Sequence, residues 1–180
     1  MEIIKTTISD VVIIKPSVYG DERGYFFESW NQKTLKTLGF DHNFVQDNQS
    51  LSMKGVLRGM HFQNPPYAQG KLVRVIQGAI WDVAVDLRKD SPTFLQYVAA
   101  ELTAENKHMF YIPEGFAHGF LTLLDNTIVC YKCTMPYHKE SEITVKWNDP
   151  QMNIQWPETN PILSDRDKSA RQLSEIVIPF

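Results

Sequence analysis

The densest cluster of reactive side chains among apolar neighbours is Gly55-Val56-Leu57-Arg58-Gly59-Met60-His61-Phe62-Gln63. Read as a strand with alternating faces, it puts His61 on the side of Gly59 and Gln63 and turns Arg58, Met60 and Phe62 the other way. An imidazole, with a reference pKa of about 6.5, sits close to working pH and suits a general base. Standing alone, this histidine would read as a hydrogen-bonded core residue. A second block, Pro113-Glu114-Gly115-Phe116-Ala117-His118-Gly119-Phe120, sets another histidine after a turn at the mouth of a strand, and the two blocks together are more specific than either. His42, His108 and His138 read as surface or loop residues.

Cys130 and Cys133 have a C-x-x-C spacing that elsewhere marks redox or zinc chemistry. Their surroundings, Thr127 to Thr134, are β-branched and aromatic, so the segment reads as a strand in which positions three apart face opposite ways. The thiols should diverge, and no second pair is present to complete a tetrahedral site.

The elements that must position these groups are mostly strands. Glycine and proline recur at short intervals between apolar runs, and strands are expected at Val11 to Ile14, Gly24 to Trp30, Lys71 to Ile76, Ala79 to Leu87, Phe94 to Leu102, Met109 to Ile112, Gly119 to Leu124 and Thr127 to Thr134. Gln77-Gly78 is expected to close a tight hairpin, and Asp125-Asn126 to join the last two strands. Helix is scarce: one short segment spans Gln32 to Leu38 with Asn31 as cap and Gly39 as stop, and another starts at Ser164 and runs into Lys168 to Leu173. There is no repeat and no linker, so residues 1–180 read as one barrel or sandwich domain, with a proline-containing tail from about residue 149 wrapping it.

Hydrophobic residues at 43% and charged residues at 22% describe a globular chain rather than a disordered one. A net charge of -3 offers no field for nucleic acid, so any anionic ligand must be held by local cations. No apolar run approaches a membrane span, and MEIIKTTISD has no apolar signal core, from which a cytoplasmic protein is expected.

The blocks around His61 and His118 together resemble the cupin barrel. Metal-binding cupins usually carry H-x-H and then glutamate in the first block, a donor set suited to iron, manganese or zinc. Here the corresponding residues are His61-Phe62-Gln63, so neither a metal nor an organic cofactor is expected. The resemblance narrows to the dTDP-4-dehydrorhamnose 3,5-epimerases of deoxysugar biosynthesis and covers nearly the whole chain. It is carried by Asp21 to Glu28, Gln46 to Ser50, Gly55 to Gln63, Lys71 to Val75, Ile112 to Gly119 and Leu163-Ser164-Asp165-Arg166-Asp167.

That resemblance implies a cupin-type antiparallel β-barrel, or jelly roll, with a few short helices. It implies an isomerase that moves protons on the carbons beside the ketone of a dTDP-linked 4-keto-6-deoxyhexose. By match to the family, His61 is the base, Asp167 its carboxylate partner, Tyr131 the acid and Lys71 the cation beside the enolate oxygen. Each has a plainer reading: Asp167 as a capping-box residue opposite Ser164, Tyr131 as core packing, Lys71 as a solvated strand lysine. The resemblance further implies substrate contacts from Arg23, Phe26, Glu28, Gln46, Asn48, Arg58, His118, Tyr137, Glu142 and Arg166, with Phe26 and Tyr137 about the thymine ring.

The family usually has lysine where this chain has Arg166, which keeps the charge but not its shape. Family members are typically homodimers, and the amino-terminal strand is expected to pair across the dimer. Three alternatives stay open: an epimerase of one carbon only, a metal-dependent cupin oxygenase, and a noncatalytic sugar-nucleotide binding module.

Overall fold

The computed structural model describes residues 1–180. The chain opens with β1 (Glu2–Lys5), β2 (Val12–Lys15), the short β3 (Tyr19–Asp21) and β4 (Gly24–Phe26), α1 (Gln32–Thr37), β5 (Gln46–Ser52) and β6 (Leu57–Gln63). It continues through β7 (Lys71–Gln77), β8 (Ala79–Asp86), β9 (Tyr97–Thr103), β10 (Met109–Ile112), β11 (Phe116–Thr122), β12 (Thr127–Cys133), β13 (Glu142–Thr144) and α2 (Asp165–Lys168). A six-stranded sheet in the order β1-β2-β10-β7-β12-β5 faces a five-stranded sheet in the order β13-β6-β11-β8-β9, and β3 pairs only with β4. The named pairings are antiparallel, which is the cupin jelly roll expected from the sequence.

Three apolar layers follow from strand alternation. Val73, Val75, Ile80, Ala84, Phe110, Phe120 and Val129 fill the space between the sheets. On the outside of the five-stranded sheet, Met60, Phe62, Val83 and Val85 pack against Met152, Leu173 and Ile178 of the tail. On the outside of the other sheet, Val12, Ile14, Leu72 and Met109 are covered by Leu35 of α1 and by Phe40. β8 is therefore covered on both faces, which explains its nearly unbroken apolar run. The three tail anchors are at most 9% exposed, and at roughly 1.5–3 kcal/mol each they bind a tail with little regular structure of its own.

Several expectations are corrected. Gln77-Gly78 is not a hairpin: β7 and β8 lie in different sheets, and Gly78 is the corner where the chain crosses. Its φ is +82°, and a Cβ there would sit 2.2 Å from Thr127 Oγ1 at the neighbouring corner between β11 and β12. The strand from Gly24 ends at Phe26, and the one expected from Phe94 starts at Tyr97 because residues 91–96 turn about Asp86, with Leu95 at φ 63°. β11 begins three residues before Gly119. The helix capped by Ser164 lasts one turn, because Arg171 bridges to Val145 and Leu173 N–H donates to Asp149. β1 pairs with β2 on one side and forms an outer edge of the six-stranded sheet, where the expected pairing with a second chain would add a strand. β5 carries no strand signal in its sequence: QDNQSLS is polar because its inward side chains face a cavity rather than the core.

Candidate active site

Between the two sheets, adjoining the apolar core at Phe120 and Tyr131, lies a cavity of about 610 Å³, large enough for a sugar with part of a nucleotide. β6 and β11 supply Arg58, His61 and His118 from one sheet, while β5, β7 and β12 supply Gln46, Asn48, Lys71 and Tyr131 from the other. The tail, the segment before β13 and the first residue of β13 close it with Arg166, Asp167, Tyr137 and Glu142. No group of three His, Cys, Asp or Glu side chains converges in a metal-binding arrangement.

Strict alternation would put Arg58 and His61 on opposite faces, and the structure corrects this. His118 pairs with His61 and Phe120 with Arg58, so Gly119 alone opposes Gly59 and Met60. This β-bulge turns both side chains into the cavity. It requires glycine on both strands: a Cβ on Gly59 would lie 2.5 Å from Gly119 Cα, and one on Gly119 2.6 Å from Met60 Sδ.

His61 Nε2 lies 2.6 Å from Asp167 Oδ1, and Asp167 is 4% exposed. The other oxygen, Oδ2, accepts from Ser164 Oγ at 2.8 Å, while Ser164 Oγ accepts from Asp167 N–H at 3.1 Å. The capping and pairing readings of Asp167 thus hold together, since the helix cap aims the carboxylate at the imidazole. Arg166 Nη2 also lies 3.1 Å from His61 Nε2. One nitrogen cannot donate to Asp167 and accept from Arg166 at once, and the shorter contact, to an ionised carboxylate, keeps the proton on Nε2. That leaves Nδ1 with its lone pair. Burial pushes the His61 pKa below the ordinary histidine value; Asp167 opposes this, and the Lys71 and Arg166 cations reinforce it. His61 is thereby neutral near pH 7 and able to take a proton.

Directly opposite on β11, His118 forms a second pair, its Nε2 2.6 Å from Asp82 Oδ1 on β8. Asp82 is fully buried and its Oδ2 has no partner. Across the cavity, burial lowers the pKa of Lys71 and raises that of Tyr131, so the phenol keeps its proton. Cys133 faces the cavity two residues beyond Tyr131 and accepts from Asn48 Nδ2 at 3.6 Å, whereas Cys130 bonds Gln49 on the outer face. The thiols diverge, as strand geometry requires, and both are free. At the rim, Arg166 binds Glu142 through both terminal nitrogens, and Tyr137 Oη donates to Glu142 Oε2 at 2.7 Å.

Residues 5–175 match the family model described as dTDP-4-dehydrorhamnose 3,5-epimerase. The dTDP-4-dehydrorhamnose 3,5-epimerase of Shigella flexneri is 55% identical over 168 residues, covering 93% of each chain. This chain belongs to the dTDP-4-dehydrorhamnose 3,5-epimerase family. Two solved structures of similar proteins superpose at TM-score 0.93. The dTDP-6-deoxy-D-glucose-3,5-epimerase of Legionella pneumophila, in complex with dTDP-4-keto-L-rhamnose, is 49% identical, covering 98% of this chain and 94% of that one. The dTDP-4-dehydrorhamnose 3,5-epimerase of Bacillus anthracis, with TDP and PPi bound, is 50% identical, with coverage of 96% and 99%. Like those relatives, this chain is an isomerase of the epimerase class.

Three residues matched to the family pattern do not line the cavity of a single chain. Arg23 and Phe26 lie on or beside the β3–β4 hairpin, where Arg23 binds only Asp21 and Phe26 is 67% exposed. Glu28 accepts from Asn31, near the start of α1. With Tyr19 67% and Tyr25 62% exposed, the hairpin is an aromatic arm extending from the barrel. Two groups near the chemistry escaped the sequence reading. Asp82 had a visible signal, a carboxylate in the apolar run AIWDVAVD at the same parity as inward Ile80 and Ala84. Gln69 had none. No helix is long and apolar enough to cross a membrane.

Proposed function

We propose that this chain epimerises carbons 3 and 5 of dTDP-4-keto-6-deoxyglucose, giving dTDP-4-keto-rhamnose, by removing a proton beside the C4 ketone and returning one to the opposite face. The observation that carries this is a neutral, carboxylate-held imidazole and a protonated phenol lining one cavity from facing sheets. His61 Nδ1 takes the proton from carbon, and the imidazolium formed is stabilised by Asp167, as in hydrolase triads. The electron pair moves onto the ketone oxygen, where Lys71, which lines the cavity, supplies a cation or N–H donor in a water-poor site. Tyr131 donates its phenolic proton to the other face of the same carbon and is reprotonated from solvent, to which the His61 imidazolium releases the proton it took. A second round inverts the second carbon.

Arg58 and Arg166 supply the cations that a diphosphate needs in a chain of net charge -3. Gln46, Asn48, Glu142 and Tyr137 line the same cavity and make polar contacts to the nucleotide and sugar, while His118 lines the wall beside His61. The working form is a homodimer in which the partner's hairpin brings Arg23, Phe26 and Glu28 to this cavity. An arm of three exposed aromatic residues favours that reading, since Tyr19, Tyr25 and Phe26 all stay more than 60% exposed even with Lys107 Nζ 4.4 Å from the Tyr25 ring centroid. Two free cysteines fit a reducing, cytoplasmic location.

The test is incubation with dTDP-4-keto-6-deoxyglucose in heavy water, followed by proton magnetic resonance. Deuterium at both carbons is expected, and label at one alone would make this a single-carbon epimerase. A His61→Ala protein exchanging label as fast as wild type would remove the proposed base.

A further inference from the structure

Gln63 stands where a metal-binding cupin would place a ligand, yet its amide is used up within the chain. It is 4% exposed. Nε2 donates to Tyr67 O at 2.6 Å and to Pro136 O at 3.3 Å, and Oε1 accepts from His138 N–H at 2.8 Å. Two carbonyls on one side and an N–H on the other allow one amide orientation only. The side chain therefore ties together the loop after β6 and the loop after β12, whose tips are also zipped by the Tyr67 and His138 rings, stacked 3.7 Å apart and within 4° of parallel.

Two more glutamines act on the second loop. Gln69 Nε2 donates to Met135 O at 2.6 Å, and Gln46 Oε1 accepts from Tyr137 N–H at 2.8 Å. Four consecutive residues, Met135 to His138, thus each have a backbone group held by a glutamine side chain. In their midst Tyr137 reaches over the cavity to Glu142. A surface loop normally satisfies its backbone with water and moves. This one is bound to the barrel by the buried amide of Gln63 and the half-buried amides of Gln46 and Gln69.

We propose that Gln63, assisted by Gln46 and Gln69, is a positioning residue that presets Tyr137 over the nucleotide-sugar cavity. The inference rests on the binding role given to Tyr137 above. A loop freed at its central tie would let Tyr137 wander by an ångström or more, which costs binding before the ligand arrives rather than at the proton transfers.

The experiment uses Gln63→Met, which keeps length and removes the polar atoms, with Tyr137→Ala and the double variant, in the full-length protein. Calorimetry with dTDP and steady-state kinetics with dTDP-4-keto-6-deoxyglucose are the readouts. Gln63→Met should weaken dTDP binding and raise KM by about 10- to 100-fold with kcat within about threefold, and the double variant should be no worse than Tyr137→Ala. Unchanged dTDP affinity, or penalties that multiply in the double variant, would overturn the proposal. If Gln63→Met does not fold, Tyr67→Ala loosens the same pair of loops from the surface. It should lower dTDP affinity about threefold, again without adding to Tyr137→Ala, and additivity there overturns the idea equally. Wild-type protein that fails to bind dTDP would instead defeat the nucleotide-sugar reading, and this inference with it.

Discussion

Replacing Asp167 with asparagine removes one charge from a contact of 2.6 Å while keeping the size of the side chain. Asp167 is 4% exposed and His61 is largely buried, so solvent screens little of what is lost. A hydrogen bond to a charged partner contributes about 1.5–3 kcal/mol, and the imidazolium formed during proton abstraction gains more from the carboxylate than the neutral ring does. A barrier higher by about 2–4 kcal/mol corresponds to a kcat roughly 30- to 1000-fold lower, with KM little changed. If the amide turns its NH₂ toward Nε2, the ring proton moves to Nδ1 and the base is blocked, a loss nearer ten-thousandfold by the precedent of hydrolase triads. Asp167 raises the pKa of His61, so the asparagine variant should also move the acid limb of kcat/KM to lower pH. The assay is deuterium wash-in at carbons 3 and 5, measured as a function of pH. A kcat within threefold of wild type would refute the pairing as a catalytic device and leave Asp167 as a helix cap.

Three further outcomes are expected. Arg166→Gln removes a cation that depresses His61, so the acid limb of kcat/KM should move to higher pH, the reverse of the Asp167 variant; an unmoved limb would mean that Arg166 acts on substrate alone. Mixing Arg23→Ala with His61→Ala protein should restore about a quarter of wild-type activity, because half the random dimers are mixed and each carries one intact site; no recovery would place the arm in its own chain's site. Burial alone would raise the pKa of Asp86, but hydrogen bonds from Arg88, Ser91 and Thr93 more than offset it and hold the carboxyl at about 2 against an ordinary 3.8. A depressed carboxylate stabilises the fold above its ordinary pKa, here by about 2 kcal/mol, and that contribution is lost as pH falls from about 4 to 2. Asp86→Asn should thus lower Tm by about 4–8 °C at pH 7, with the gap narrowing below about pH 4.

Much of this was legible without coordinates. Short apolar runs broken by glycine and proline implied a β architecture, because alternation and turn chemistry are local properties of the chain. The blocks around His61 and His118 pointed to the cavity they line because polar groups embedded in apolar strands demand a reason. Asn31 and Ser164 announced their caps for the same local reason.

What the chain alone could not express was which strands face one another. Gly78 carries the same turn signal whether it closes a hairpin or crosses between sheets, and only its packing against Thr127 decides. Arg58 joins His61 in the cavity because Gly119 opposes two residues at once, a count that exists only when two strands are paired. The partnerships of His61 with Asp167, 106 residues away, and of His118 with Asp82 likewise arise when the tail and β8 dock. Residue types and local spacing set the repertoire of groups; long-range docking, driven by burial of apolar side chains remote from the chemistry, set their distances and hence their proton affinities.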